Sequence, residues 1–275
     1  MAFPIDHGHL LVIIVLSCLF MLSLPIPTQS TDPSATYCNT NTNFTSQSKI
    51  SANINDLLPK LVQGTIQNGF IATSYSKFGS SQLVYGLSQC RGDVSNTDCS
   101  TCIQEAAKQI RITCPNQADA RIWYEYCFLR YDTRDFIGEV DTGYGVIYYN
   151  VQNVSDPDGS FNKQLGGLFD KIESRAVKVE NKGLGKEKVK LSPFLTLYGL
   201  VQCTRDLSAL NCGQCLAIAV ANFATICGNK QGCRVIYSSC YVRYELYPFY
   251  FPLDNSQLHA SKEEKNYNYV VFRSS

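Results

Sequence analysis

The sequence predicts an α+β fold made of two tandem, disulfide-rich domains, and three observations carry that prediction. One cysteine pattern occurs twice at a constant offset. Each occurrence sits in the same succession of helix-period residues followed by aromatic and β-branched runs. The chain also opens on an apolar run of export type, after which an even number of cysteines remains.

That opening run comes first. Leu10 to Leu24 read LLVIIVLSCLFMLSL, too short for a comfortable membrane span but right for the apolar core of a secretion signal. The stretch PIPTQS–TDP supplies small residues for cleavage near Ser30, so residues 1–30 are predicted to be a signal peptide. An uncleaved membrane anchor is the rival, because no Lys or Arg precedes the run. No later run is long enough to span a membrane. Removal of Cys18 leaves 13 − 1 = 12 cysteines. An exported chain with an even count argues for a disulfide framework in an oxidising compartment. The sequons at Asn43 and Asn153 fit that route as glycosylation acceptors. With 24 basic and 23 acidic residues the formal charge is +1, which offers no footprint for nucleic acid or an anionic membrane surface.

The cysteines then fall into two sets. The first is Cys38, Cys90, Cys99, Cys102, Cys114 and Cys127; the second is Cys203, Cys212, Cys215, Cys227, Cys233 and Cys240. The differences 203 − 90, 212 − 99, 215 − 102, 227 − 114 and 240 − 127 are all 113. Tyr85-Gly86-Leu87 matches Tyr198-Gly199-Leu200 at the same offset, Arg121 matches Arg234, and Arg130-Tyr131-Asp132 matches Arg243-Tyr244-Glu245. The reading is a duplication with domains at 31–138 and 144–250, a joint at Asp141-Thr142-Gly143 and a C-terminal tail at 251–275. In the tail, residues 269–272 are able to add an edge strand.

Within each unit, helices precede strands. Ile50, Ile54, Leu57, Leu58, Leu61, Val62 and Ile66 recur at helical spacing, with Pro59 expected to kink or interrupt the element. Phe161, Leu165, Leu168, Phe169 and Ile172 are the counterparts. A second helix begins near Cys99, where Ser95 and Asp98 resemble a capping box. It buries Ile103, Ala106, Ala107 and Ile110, against Leu216, Ala219, Val220 and Phe223 in the repeat. RIWYEYCFLRYD and RVIYSSCYVRYE, which follow, read as strands.

Each unit carries C-x8-C-x2-C. A zinc site is possible on ligand count, and a thioredoxin-like pair would need a βαβ context that is absent; in an exported chain disulfides are favoured over both. Six cysteines allow fifteen pairings, and spacing does not choose among them. The doubled motif, with YGLxQC before it and CxxRY(D/E) after it, resembles the plant cysteine-rich repeat secretory proteins over nearly all of residues 31–250. Their domain is homologous to ginkbilobin and also builds receptor-like kinase ectodomains. The resemblance implies two helices packed on an antiparallel sheet in each domain. It implies the bridges Cys38–Cys114, Cys90–Cys99, Cys102–Cys127, Cys203–Cys212 and Cys215–Cys240. The early cysteine is missing from the second unit, and Cys233 stands where the first has Ala120, so Cys227–Cys233 is the simplest remaining bridge.

Ginkbilobin resembles a mannose-binding lectin, and the resemblance places its site at Asn39, Arg121 and Asp132, with Arg234 and Glu245 as second-domain counterparts. Asn offers a donor and an acceptor, Arg a fork of donors, and a carboxylate two acceptors, a set suited to sugar hydroxyls. If Glu125-Tyr126 form a two-residue turn, Arg121 lies opposite Arg130 and diagonal to Asp132; a Ser238-Ser239 turn does the same for Arg234 and Glu245. The bland alternative is a cross-strand ion pair in each domain. Asp132 is one methylene shorter than the family's Glu, and the second unit lacks the Cys-Asn step.

The expected function is therefore a secreted, non-enzymatic recognition protein of the apoplast in plant defence or stress, needing no metal or cofactor. Its expected ligands are mannose-containing or wall glycans. The alternative is a protein–protein module for receptor ectodomains, suggested by the aromatic strands and by YPFYFP at 247–252, residues that the interdomain seam could equally absorb. A carboxylate-dependent hydrolase is the remote rival, because Asp132 and Glu245 are one per domain rather than a pair in one cleft.

Overall fold

The computed structural model describes residues 32–79, 82–156, 159–253 and 266–273. The predicted signal peptide and Cys18 lie outside the described residues, as does 254–265 of the tail. The described residues from Pro33 onward cluster as one compact unit.

The first repeat runs β1 (Ala35–Cys38), α1 (Lys49–Asn68), β2 (Phe70–Tyr75), β3 (Val84–Cys90), α2 (Asn96–Thr113), β4 (Ala120–Trp123) and β5 (Cys127–Asp132). The second runs β6 (Tyr144–Asn150), α3 (Ser160–Ala176), β7 (Leu184–Ser192), β8 (Leu195–Cys203), α4 (Ala209–Thr225), β9 (Gly232–Tyr237) and β10 (Cys240–Glu245), with β11 (Tyr267–Arg273) from the tail. The strands form two antiparallel sheets, ordered β1-β4-β5-β3-β2 and β11-β6-β9-β10-β8-β7. The edge strand that residues 269–272 suggested is thus present, paired along all of β6.

Pro59 does not interrupt α1, which is continuous over twenty residues. Its ring lies on the exposed side, while Ile54, Leu57, Leu58 and Leu61 bury both flanking turns. Packing therefore outweighs the lost hydrogen bond. Ser95 caps α2 as its spacing predicts, accepting from the Asp98 amide at 3.1 Å.

Strand alternation sorts the side chains. Ala120, Ile122, Leu129 and Tyr131 join the helices in one core, and Val235, Val242 and Tyr244 do so in the other. The opposite faces carry Trp123, Tyr144, Val146 and Ile236, which form a third cluster across the seam between the repeats. Six disulfides close the framework: Cys38–Cys114, Cys90–Cys99, Cys102–Cys127, Cys203–Cys212, Cys215–Cys240 and Cys227–Cys233.

The seam has approximate two-fold logic. Gln89 Oε1 accepts from the Arg205 amide and its counterpart Gln202 Oε1 accepts from the Gly92 amide, both at 2.9 Å. Trp123 Nε1 donates to the Tyr237 carbonyl at 3.1 Å. The aromatics of 247–252 serve the seam as well. The Phe249 carbonyl accepts from Arg91 at 3.2 Å, and Phe251 packs edge-on against Tyr126.

Candidate functional site

The hairpins built on β4–β5 and β9–β10 set the geometry. Arg121 pairs with Arg130 and Arg234 with Arg243, with Glu125-Tyr126 and Ser238-Ser239 at the turns. Each pair of buried arginines lies on the seam face, the same face as Trp123 and Ile236. Two guanidiniums placed directly opposite one another require compensating anions, and the anions decide what each site becomes.

In the first repeat, Asn39, Arg121 and Asp132 line one cavity of about 590 Å³, together with Thr40, Thr42, Asp119 and Asp141. Arg121 does not pair with Asp132. Its Nε meets Asp119 at 3.3 Å, and its Nη1 meets Asp141 at 2.8 Å and Ser238 Oγ at 2.7 Å. Arg130 Nη1 reaches the same Asp141 oxygen at 3.0 Å and stacks its guanidinium on Phe136 at 3.9 Å. The Asn39 amide donates to Asp119 at 3.1 Å, and its Oδ1 accepts from the Asn41 amide at 3.1 Å. Asp132 is the least committed group, accepting from the Arg134 amide at 3.0 Å with Arg130 no closer than 3.8 Å. Burial first, then Asp119, pushes its carboxyl above the usual range.

In the second repeat the arginines look across the seam. Glu125, from the turn of the first hairpin, meets Arg234 at 2.6 Å, Arg243 at 2.8 Å and Arg91 at 2.7 Å. Burial pushes the Glu125 carboxyl up, but the three guanidiniums outweigh it and hold the group at about 2. Arg243 Nε also binds Glu245 at 2.8 Å. No Arg234–Glu245 ion pair forms among the described residues, so the expected cross-strand bridge is replaced here too. The Tyr267 hydroxyl hydrogen-bonds to Glu245, closing this site with the chain's own tail.

Three features of these sites are absent from the sequence reading. Asp119 and Asp141 are the true counterions of the first pair, and only their place beside β4 and at the joint brings them in. Asn150 stands where the second unit lacked the Cys-Asn step. The strand pairs Tyr37↔Arg121 and Tyr148↔Arg234 set β1 against β6 at 148 − 37 = 111, so Asn39 corresponds to Asn150. Asn150 repeats the local bond, its Oδ1 accepting from the Gln152 amide at 2.9 Å. Gly232 replaces Asp119, and a Cβ there would run into Glu245 and Tyr267.

The sequence profile of the salt stress response/antifungal family matches residues 37–134 and 149–247. Cysteine-rich repeat secretory protein 55 of Arabidopsis thaliana is 58% identical over 242 residues, covering 88% of this chain and 92% of that protein. An antimicrobial ginkbilobin-2-like protein of Castanea crenata is 40% identical over 219 residues, covering 79% and 89%. Among solved structures, the tandem DUF26 ectodomain of the Arabidopsis thaliana cysteine-rich receptor-like protein PDLP8 matches with a TM-score of 0.68 at 30% identity, covering 78% of this chain and 98% of that one.

Proposed function

The chain belongs to the salt stress response/antifungal family in two tandem copies, and from that premise we propose that it is a secreted, non-enzymatic recognition protein of the plant apoplast whose ligand is a mannose-type or cell-wall glycan. The first-repeat cavity is where such a ligand enters. The observation that carries this reading is that Asn39, Arg121 and Asp132, far apart in sequence, line one polar cavity with threonine hydroxyls and two further carboxylates. Arg121 is consumed by Asp119, Asp141 and Ser238. Its part is to hold the carboxylates in place, and Asp132 is left to accept from sugar hydroxyls. The exposed Asn43 and Asn153 carry N-glycans in this reading.

A glycan panel tests it with the oxidised protein and Asp132→Ala. Mannose-type or wall-glycan binding that falls at least tenfold in the variant, with its fold unchanged by circular dichroism, supports the assignment. A wild-type protein that binds no glycan sinks it and turns the search to receptor ectodomains.

A further inference from the structure

β11 differs from every other strand in how little it buries. Tyr269, Val270 and Val271 are exposed, the Tyr269 ring lies tilted against Tyr148 of β6 at 5.7 Å, and the buried contacts are at the two ends. At one end Tyr267 reaches Glu245; at the other Phe272 packs against the second core. Between them lies a full antiparallel ladder with β6, from Tyr267↔Asn150 to Arg273↔Tyr144. Thirteen residues, 254–266, separate β11 from Leu253 in the sequence. The place where Tyr267 lands is the register equivalent of the open first-repeat cavity: Asn150, Arg234 and Glu245 stand for Asn39, Arg121 and Asp132. Gly232 supplies the room that Asp119 occupies in the first repeat, because any Cβ at that position would overlap Tyr267 and Glu245. The second repeat is thus shaped around a tyrosine that arrives on an added strand.

We propose that the outer edge of β6, with the Glu245 pocket at its end, is a peptide-binding site that takes an extended segment beginning with tyrosine, and that β11 is its resident, displaceable ligand. Main-chain ladder bonds supply affinity and the phenol supplies selectivity, the division found in strand-addition recognition. An edge strand with little apolar burial opens locally at low cost. The proposal rests on the strand ladder and the Glu245 pocket rather than on the glycan reading, although Arg273 at the far end of β11 lines the first-repeat cavity.

The test uses the full chain, wild type and Tyr267→Ala, with a labelled peptide of residues 262–273 and the same peptide carrying Phe in place of Tyr267. Hydrogen exchange should give β11 amides at least tenfold faster in Tyr267→Ala, with β9 and β10 unchanged. Fluorescence anisotropy should give at least tenfold tighter peptide binding to Tyr267→Ala than to wild type, and at least fivefold weaker binding of the Phe peptide. Unchanged β11 exchange overturns the proposal. So does faster exchange without peptide binding, or equal binding of the two peptides. Tyr267→Phe, which removes only the hydroxyl, carries the same readouts should the alanine variant not fold.

Discussion

The turn of the first hairpin carries Glu125 and the equivalent turn of the second carries Ser238, at 238 − 125 = 113. Both reach into the arginine pair of the opposite repeat. Duplication kept the cations of both sites, Arg121 with Arg130 and Arg234 with Arg243, and a carboxylate at Asp132 and Glu245, but not the anion that bridges each arginine pair. Where the turn supplies a carboxylate, two ion pairs lock the seam, a third ties Glu125 to Arg91 of its own repeat, and the site is closed by Tyr267. Where the turn supplies only a hydroxyl, the carboxylate comes from Asp141 in the joint, and the pocket stays open. The same strand geometry therefore yields a seam strut in one repeat and a cavity in the other, and the choice lies in which segment brings the negative charge.

The largest expected effect comes from removing the strut. Glu125→Ala removes the anion shared by three buried guanidiniums. It leaves Arg234 without an ion-pair partner among the described residues, while Arg91 keeps Asp93 and Arg243 keeps Glu245. The substitution should cost about 3–5 kcal/mol, the usual loss when one partner of a buried pair is deleted. In a chain of this size that lowers the melting temperature by on the order of 10 °C. Ser238→Ala, at the equivalent place, should cost about 1 kcal/mol, because Arg121 keeps Asp119 and Asp141. Urea midpoints of the two variants check the comparison, which breaks if the costs are equal.

Acid should erase the same difference. Glu125 is held at about 2 against an ordinary 4.5. A carboxyl depressed on folding stabilises the native state above its unfolded pKa, and that contribution is lost as pH falls from 4.5 through 2. The linked stability is about 3 kcal/mol. Wild type and Glu125→Gln, measured by urea unfolding, should therefore differ at pH 6 and converge near pH 2. A gap that persists at pH 2 would mean that the carboxylate charge is not what locks the seam.

The disulfides separate the repeats by a smaller margin. Cys114 ties back to β1 across 76 residues, whereas its counterpart Cys227 closes only six. Chain-entropy scaling gives about 4 kcal/mol for the long loop and about 2 kcal/mol for the short one. Paired Cys→Ala substitutions should reproduce that order in denaturant midpoints. The second repeat tolerates the short bridge because β6 is already held on both sides, by β9 and β11.

What the sequence disclosed follows from what is local. The 113-residue offset, the Ser95 cap and the hairpin register of Arg121 with Arg130 were legible because they depend on neighbours in the chain and on the strand period. The bridges were not legible from spacing; five came with the family resemblance, and Cys227–Cys233 was the simplest remaining pairing where the second repeat departs from it. Asn150 was hidden by a two-residue shift between β1 and β6, which a gapless offset cannot reveal. Glu125 passed as a turn residue because its three partners sit 34, 109 and 118 positions away. The pairing of Arg121 with Asp119 and Asp141, in place of Asp132, was likewise invisible, since the joint's position beside the hairpin is a tertiary fact.

The finest test exchanges the two solutions. Asp141→Asn removes the shared counterion of Arg121 and Arg130 while keeping an acceptor of the same shape. It should cost about 2 kcal/mol, the range of a hydrogen bond to a charged group, since Asp119 still engages Arg121 but Arg130 keeps only a distant Asp132 as counterion. Ser238→Glu places a carboxylate where the first repeat's turn already has one. Combined with Asp141→Asn it should recover at least ~1 kcal/mol, a coupling well above the additivity error for separate sites. Measured as a double-mutant cycle in urea, recovery would show that the source of the anion is interchangeable and that the open cavity is a consequence of Ser238. Strict additivity would instead tie the cavity to the path of the joint, with Asp141 held there by the hydrogen bond its backbone N–H donates to Ser239 Oγ at 2.8 Å and by the one its carboxylate accepts from the Gly143 N–H at 3.1 Å.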